Sequence, residues 1–166
     1  MTRRIQTCVR YFLLAVLFLL PVANPLVHAG QESEQVGHDH SHHHLESTFG
    51  AAYNDGKTGT FTGFEYEYRL SGLFGLGAFL DGTFDGFDLA ALGVVANFHP
   101  GGRWKVLTGL GVERKTGGGH DKLLFRVGGA YEFHVGNGTV SPTVAYDFLE
   151  DGKDVVYAGV ALGFTF

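Results

Sequence analysis

From residue 45 to residue 166 the chain is written in eight runs in which apolar side chains recur at every second position, each run about ten residues long. The last run places Val156, Ala158, Val160, Leu162, Phe164 and Phe166 on one parity and Val155, Tyr157, Gly159, Ala161, Gly163 and Thr165 on the other. A period of two is that of a β-strand whose faces meet different surroundings, and it is incompatible with the 3.6-residue period of a helix. Strands are expected near residues 45–54, 60–70, 73–84, 87–98, 103–114, 122–135, 139–149 and 154–166. Between them lie Asn54-Asp55-Gly56, Ser71-Gly72, Asp85-Gly86, Pro100-Gly101-Gly102, Gly117-Gly118-Gly119, Gly136-Asn137-Gly138 and Asp151-Gly152, which is turn chemistry. An even number of antiparallel strands closes a meander with both ends of the barrel region on one side.

Alternation alone does not say which face is inside, and volume decides it. One parity carries Phe49, Tyr53, Phe64, Tyr66, Tyr68, Leu80, Trp104, Phe125, Tyr146, Phe148 and Phe164; the other carries Gly50, Gly63, Gly75, Gly77, Gly93, Gly109, Gly111, Gly128, Gly159 and Gly163 mixed with charges. An eight-stranded interior is barely filled by side chains, so the bulky face belongs outside, against lipid. The same assignment puts Tyr68, Phe98, Trp104, Phe133 and Phe166 at one rim and Tyr53, Phe84, Tyr146 and Phe148 at the other, the pattern of two interfacial aromatic belts. The expected fold class is therefore all-β, an eight-stranded antiparallel up-and-down transmembrane β-barrel.

The N-terminal segment fits an exported protein. Arg3, Arg4 and Arg10 precede an apolar run from Tyr11 to Leu20, and Val27-His28-Ala29 supplies a small-residue cleavage point. Residues 1–29 are expected to be a cleaved signal peptide, residues 30–44 a disordered, His-rich periplasmic tail, and residues 45–166 the barrel. The leader holds three of the twelve basic residues and none of the seventeen acidic ones, so the exported chain carries nine against seventeen, a formal charge of −8. Such an acidic chain is a poor match for nucleic acid, which is bound through basic surfaces. Cys8 leaves with the leader, which removes disulfide and thiolate chemistry.

The strand count, the alternation and the terminal Phe166 resemble the small eight-stranded bacterial outer-membrane barrels of the OmpA membrane-domain and OmpX type, over about residues 45–166. The resemblance implies a bacterial outer-membrane location, lipid and lipopolysaccharide as surroundings, a monomer, and Phe164 with Phe166 as part of the signal read by the barrel-assembly machinery.

Charges on the glycine-bearing face, Glu46, Glu65, Glu67, Arg69, Asp81, Lys105, Glu113, Arg126, Glu132, His134 and Asp147, are costly to bury unless paired. Register makes one pair testable. A two-residue loop at Gly136-Asn137 or at Asn137-Gly138 puts Arg126 opposite or diagonal to Asp147, whereas a three-residue loop would set it across from Phe148. Glu150-Asp151-Gly152 suits a three-residue loop with Gly152 in the left-handed region. Pro142, inside the seventh run, predicts a bulge or a late start to pairing. The charges read either as salt-bridged plugs or as the lining of a narrow channel.

His38, Asp39, His40, His42, His43 and His44 form the densest cluster of metal-ligating side chains. Neutral imidazoles take Zn, Cu or Ni, and without cysteines or a folded shell around them the expected binding is weak and exchangeable; no cofactor is required. The other reading is a solvated tail. A lipid A-modifying enzyme would need a nucleophile and base near the outer rim, where His120 has no serine as a sequence neighbour. No catalytic residue is assigned, and a non-enzymatic envelope role is expected.

Overall fold

The computed structural model describes residues 42–116, 118 and 120–166. The expected leader, residues 1–29, and His38, Asp39 and His40 lie outside the described residues. The strands are β1 (His43–Asn54), β2 (Lys57–Arg69), β3 (Phe74–Phe84), β4 (Leu89–Phe98), β5 (Trp104–Lys115), β6 (Lys122–Tyr131), β7 (Phe133–Val135), β8 (Gly138–Leu149) and β9 (Val155–Thr165), with one 3-10 turn at Pro100–Gly102. Tyr, Phe, Val and Thr supply most of their side chains other than glycine and alanine, as suits a half-buried pleated surface.

Neighbouring strands are antiparallel, and β9 returns to pair with β1 from Thr165 opposite His44 to Val155 opposite Asn54, closing the sheet. β6 and β7 share one register against β8, with Ala130 opposite Thr143 and Phe133 opposite Val140. They are two parts of a single wall strand interrupted at Glu132, and the result is a closed eight-stranded barrel. Wall strands tilted as in other membrane barrels cover a band roughly 25 Å tall, enough for the hydrocarbon core.

The turns set the register. Asp55 and Gly56 take φ of 44° and 84° in a two-residue loop between paired Asn54 and Lys57, the type I′ geometry that matches strand twist. Gly136-Asn137 is likewise a two-residue loop, closed by Val135 opposite Gly138, with Gly136 at φ 61°. Even parity there and odd parity at the β8–β9 turn keep the same face inside across the three strands.

Leu45, Phe49, Phe64, Leu80, Leu92, Leu110, Phe125 and Leu162 all project outward and are exposed. An apolar band running around the whole circumference is untenable in water and stable in hydrocarbon. Aromatic contacts mark its edges: Trp104 meets Tyr131 at 4.9 Å and Tyr131 meets Phe133 at 5.0 Å near one rim, and Tyr146 meets Phe148 at 4.5 Å near the other.

Three local expectations are corrected. β1 begins at His43 rather than Leu45, because His43 and His44 pair with Tyr68 and Glu67 across the sheet. Pro142 produces neither a bulge nor a late start: β8 pairs with β9 straight through it. The interruption falls instead on the facing strand, between Ala130 and Phe133, where Pro142 has no N–H to offer. The lumen also holds more bulk than its glycines suggest, since Phe61, Phe79 and Tyr157 are buried inside. The glycines make room for them. A Cβ at Gly111 would come within 3.1 Å of the Phe79 ring and one at Gly63 within 3.0 Å of the Phe61 ring.

Candidate functional site

Inward-pointing polar residues sort into two groups along the lumen. The central one is built on Arg126 of β6. Its Nε and Nη2 donate to the two carboxylate oxygens of Asp147 at 2.6 and 2.7 Å, and Nη1 donates to Asp81 of β3. The guanidinium lies 4.1 Å from the centre of the Phe79 ring and 5.2 Å from that of Tyr157. A planar fork satisfied by two carboxylates and faced by two rings has strong geometric definition. Toward the turn end of the barrel Ala52, Leu124, Leu149 and Val155 are buried in one apolar cluster. A cavity of about 40 Å³ beside Glu65, Asp81, Arg126 and Tyr157 leaves space only for one or a few waters.

The second group fills the lumen at the end where both termini of the barrel lie. Lys105 of β5 donates to Glu46 of β1 and, at 3.4 Å, to Glu65 of β2, which also accepts from Asn97 at 2.7 Å. His99 lies 2.8 Å from Glu67, and its other nitrogen is 3.8 Å from Glu132. Arg69 sits 3.7 Å from Glu67 and 3.6 Å from Glu132. His44 hydrogen-bonds Thr165 through Nδ1 at 2.9 Å and turns Nε2 toward Glu46, 3.8 Å away. This end is underpaired. His44 Nε2, Glu46 Oε1 and both carboxylate oxygens of Glu132 are buried without a hydrogen-bond partner.

Glu65, Glu67, Arg69, Lys105 and Glu132 thus come together at the terminal end, and Arg126 and Asp147 in the centre. Glu113 is buried apart from both, with Oε2 unpartnered. His134 is half-exposed at the rim, 3.7 Å from Glu132. The described members of the histidine cluster are dispersed. His42 bonds the Arg69 carbonyl at 2.8 Å, His43 faces outward to bond the Tyr66 hydroxyl at 2.7 Å and stack on Phe166, and His44 faces the lumen. Successive residues of a strand cannot share one site, because their side chains leave opposite faces. Phe164 and Phe166 both sit on the outer surface, their rings 6.1 Å apart.

His44 and His99 are lumen residues that local composition assigns to tail and turn. The sequence does hold a signal for them: both continue the inward parity of their strands, His44 before Glu46 and His99 after Val95 and Asn97. Among the described residues, Thr165 is the only serine or threonine whose hydroxyl bonds a histidine, and that pair faces the lumen rather than the lipid surface where a lipid substrate would lie.

At the other rim the charges pair locally. Arg114 holds Asp121 through two hydrogen bonds of 2.5 and 2.7 Å, and Lys122 reaches Asp151 at 2.6 Å. These bonds hold the Asp121 and Asp151 carboxyls below their ordinary range.

No family model matches this sequence, and no curated protein does. Among solved structures, the N-terminal β-barrel domain of Pseudomonas aeruginosa OprF is similar with a TM-score of 0.53 at 15% identity, covering 76% of this chain and 98% of that one. A de novo designed transmembrane β-barrel is similar with a TM-score of 0.51 at 15% identity, covering 72% of this chain and 94% of the design. At these identities the likeness speaks for the architecture, which a designed barrel shares with natural ones, and leaves function to the residues themselves.

Proposed function

We propose that this chain is a small, non-enzymatic protein of the bacterial outer membrane, a monomer whose role is structural within the envelope. The observation that carries the reading is the pairing of an apolar outer band with a lumen filled by hydrogen-bonded charges and aromatic rings. The outer band suits lipid on all sides, with lipopolysaccharide as the neighbour at the turn end. A filled lumen suits a plug better than a channel. Outward Phe164 and Phe166 on the closing strand are accessible to the barrel-assembly machinery during insertion.

Expression in a Gram-negative host, membrane fractionation and comparison of gel migration before and after boiling test the location and the fold together. Outer-membrane recovery with heat-modifiable migration is expected; recovery in the soluble periplasm would refute the reading. In planar bilayers the purified barrel is expected to give no sustained conductance. A selective conductance abolished by Arg126→Leu would establish the channel alternative.

The tail before β1 adds weak, exchangeable capture of Zn, Cu or Ni by His38, Asp39, His40 and His42. Its support is composition. Zinc titration of the full chain against a variant with His38, His40 and His42 changed to alanine tests it, with loss of the weak binding phase as the expected result.

A further inference from the structure

The underpaired end of the lumen has the makings of a ligand site. Four carboxylates, Glu46, Glu65, Glu67 and Glu132, share the space with two permanent cations, Arg69 and Lys105. With the imidazoles of His44, His99 and His134 neutral, two negative charges are left over. Buried charge of this kind demands a counter-ion or protonation. The cations are also unevenly spread: Lys105 engages one oxygen of Glu46 and leaves the other free, while Glu132, fully buried, receives no hydrogen bond at either oxygen.

We infer that His44 Nε2, Glu46 Oε1 and a carboxylate oxygen of Glu132 form a binding site for one divalent first-row metal ion of the zinc class. These three buried groups have ligand atoms within 4.8 Å of one another, and His44 Nε2 stands 3.8 Å from Glu46 Oε1. Tetrahedral coordination with ordinary bond lengths wants ligand atoms about 3.4 Å apart, so a contraction of a few tenths of an ångström between that pair and up to roughly 1.4 Å elsewhere, within the reach of glutamate side-chain rotation, completes the set. One imidazole and two carboxylates leave a fourth position for water. A dication balances the two surplus negative charges, which a monovalent ion would not.

The histidine is oriented for this task. In the tautomer that carries its proton on Nδ1, that N–H donates to the Thr165 hydroxyl at 2.9 Å and the bare Nε2 points at the two carboxylates, the arrangement by which a second hydrogen bond fixes a metal-ligating imidazole. Gly163 on β9 gives the ring its place, because a Cβ there would approach Nε2 to 2.6 Å and Cε1 to 2.7 Å. Access is from the rim, where half-exposed His134 lies 3.7 Å from Glu132. The site uses none of the tail residues before β1 and stands apart from weak capture by them.

The test is zinc binding to the full chain folded in detergent micelles, measured by competition with a chromophoric chelator and by cobalt(II) visible absorption. The unaltered chain and the variant with His38, His40 and His42 changed to alanine are both expected to hold one tight equivalent. Glu132→Gln, which keeps the shape and removes the charge, and His44→Gln are each expected to weaken that equivalent at least tenfold and to erase the cobalt absorption band. Heat-modifiable migration verifies that each variant has folded. Should the triple tail variant lose the tight equivalent, or Glu132→Gln bind as the unaltered chain does, the luminal site would be refuted. If Glu132→Gln prevents folding, Gly163→Ala, which keeps all three ligand residues but pushes the His44 imidazole out of position, takes its role with the same expected loss.

Discussion

The centre of the lumen and its terminal end are built from the same residue types and differ in how completely those residues are satisfied. At the centre, Arg126 meets Asp147 and Asp81 and is covered by Phe79 and Tyr157; among the described residues none of the Arg126, Asp81 or Asp147 polar atoms is buried without a partner. At the terminal end, Glu132, His44, Glu46, Glu67, Arg69 and His99 all retain buried atoms with no hydrogen bond. Saturated networks hold a structure together, and networks with orphaned lone pairs have capacity left for something else. The contrast suggests a division of labour within one lumen, with a lock in the middle and a receptive site near the rim.

The largest effect should come from breaking the lock. Asp147→Ala strips Arg126 of its bidentate partner and is expected to cost about 3–5 kcal/mol of barrel stability, read by urea titration of the fluorescence of Trp104, the only tryptophan in the chain. In metal-free buffer Glu132→Gln should instead change stability by less than about 1 kcal/mol, or raise it, because it removes a buried carboxylate that accepts no hydrogen bond and whose nearest cation, Arg69 at 3.6 Å, is part-exposed. Equal losses from the two substitutions would erase the distinction.

Metal should widen the gap. Zinc at about a hundredfold excess over its dissociation constant is expected to stabilise the barrel by about 2.7 kcal/mol, and a chelator should remove that gain. Asp147→Ala should keep the zinc response and Glu132→Gln should lose it; the reverse pattern would place the metal in the central layer. A smaller effect, about 1–2 kcal/mol beyond the loss of packing, is expected when Phe79→Leu removes the ring facing Arg126. Comparing that variant in the presence and absence of Arg126→Leu isolates the cation–ring contribution.

The smallest effects belong to the exposed rim. Lys122→Ala should cost less than about 1 kcal/mol, since surface ion pairs contribute little. Asp121 and Asp151 carboxyls are held below their ordinary range by hydrogen bonds from Arg114 and Lys122, so whatever these pairs contribute is present above about pH 4 and is lost as pH falls through the lowered values. A loss of rim order on raising the pH from 5 to 8, followed by hydrogen exchange in these loops, would contradict that sign.

Much of the central layer is legible in the amino-acid sequence. Inside and outside follow from volume, and a two-residue loop at Gly136-Asn137 or Asn137-Gly138 puts Arg126 opposite or diagonal to Asp147 by parity, the fold then selecting Gly136-Asn137 and direct opposition. The terminal end is less legible. His44 carries an inward parity, but the polar residues before it give the segment the composition of a tail, and only its pairing with Glu67 and Thr165 shows that it belongs to the wall. Asp81 has the right face, yet nothing in the order of residues ties it to Arg126, forty-five positions away.

Local chemistry by itself determined a transmembrane barrel of eight strands, the face that most strand residues take and the parity of its tight hairpins, because side-chain alternation and turn parity act between chain neighbours. Which charges meet across the lumen was decided by closure and tilt of the whole sheet, which bring Lys105 to Glu46 over fifty-nine residues and Arg126 to Asp81 over forty-five. Partners on non-adjacent strands depend on barrel shear, a property of the closed ring that no single hairpin contains.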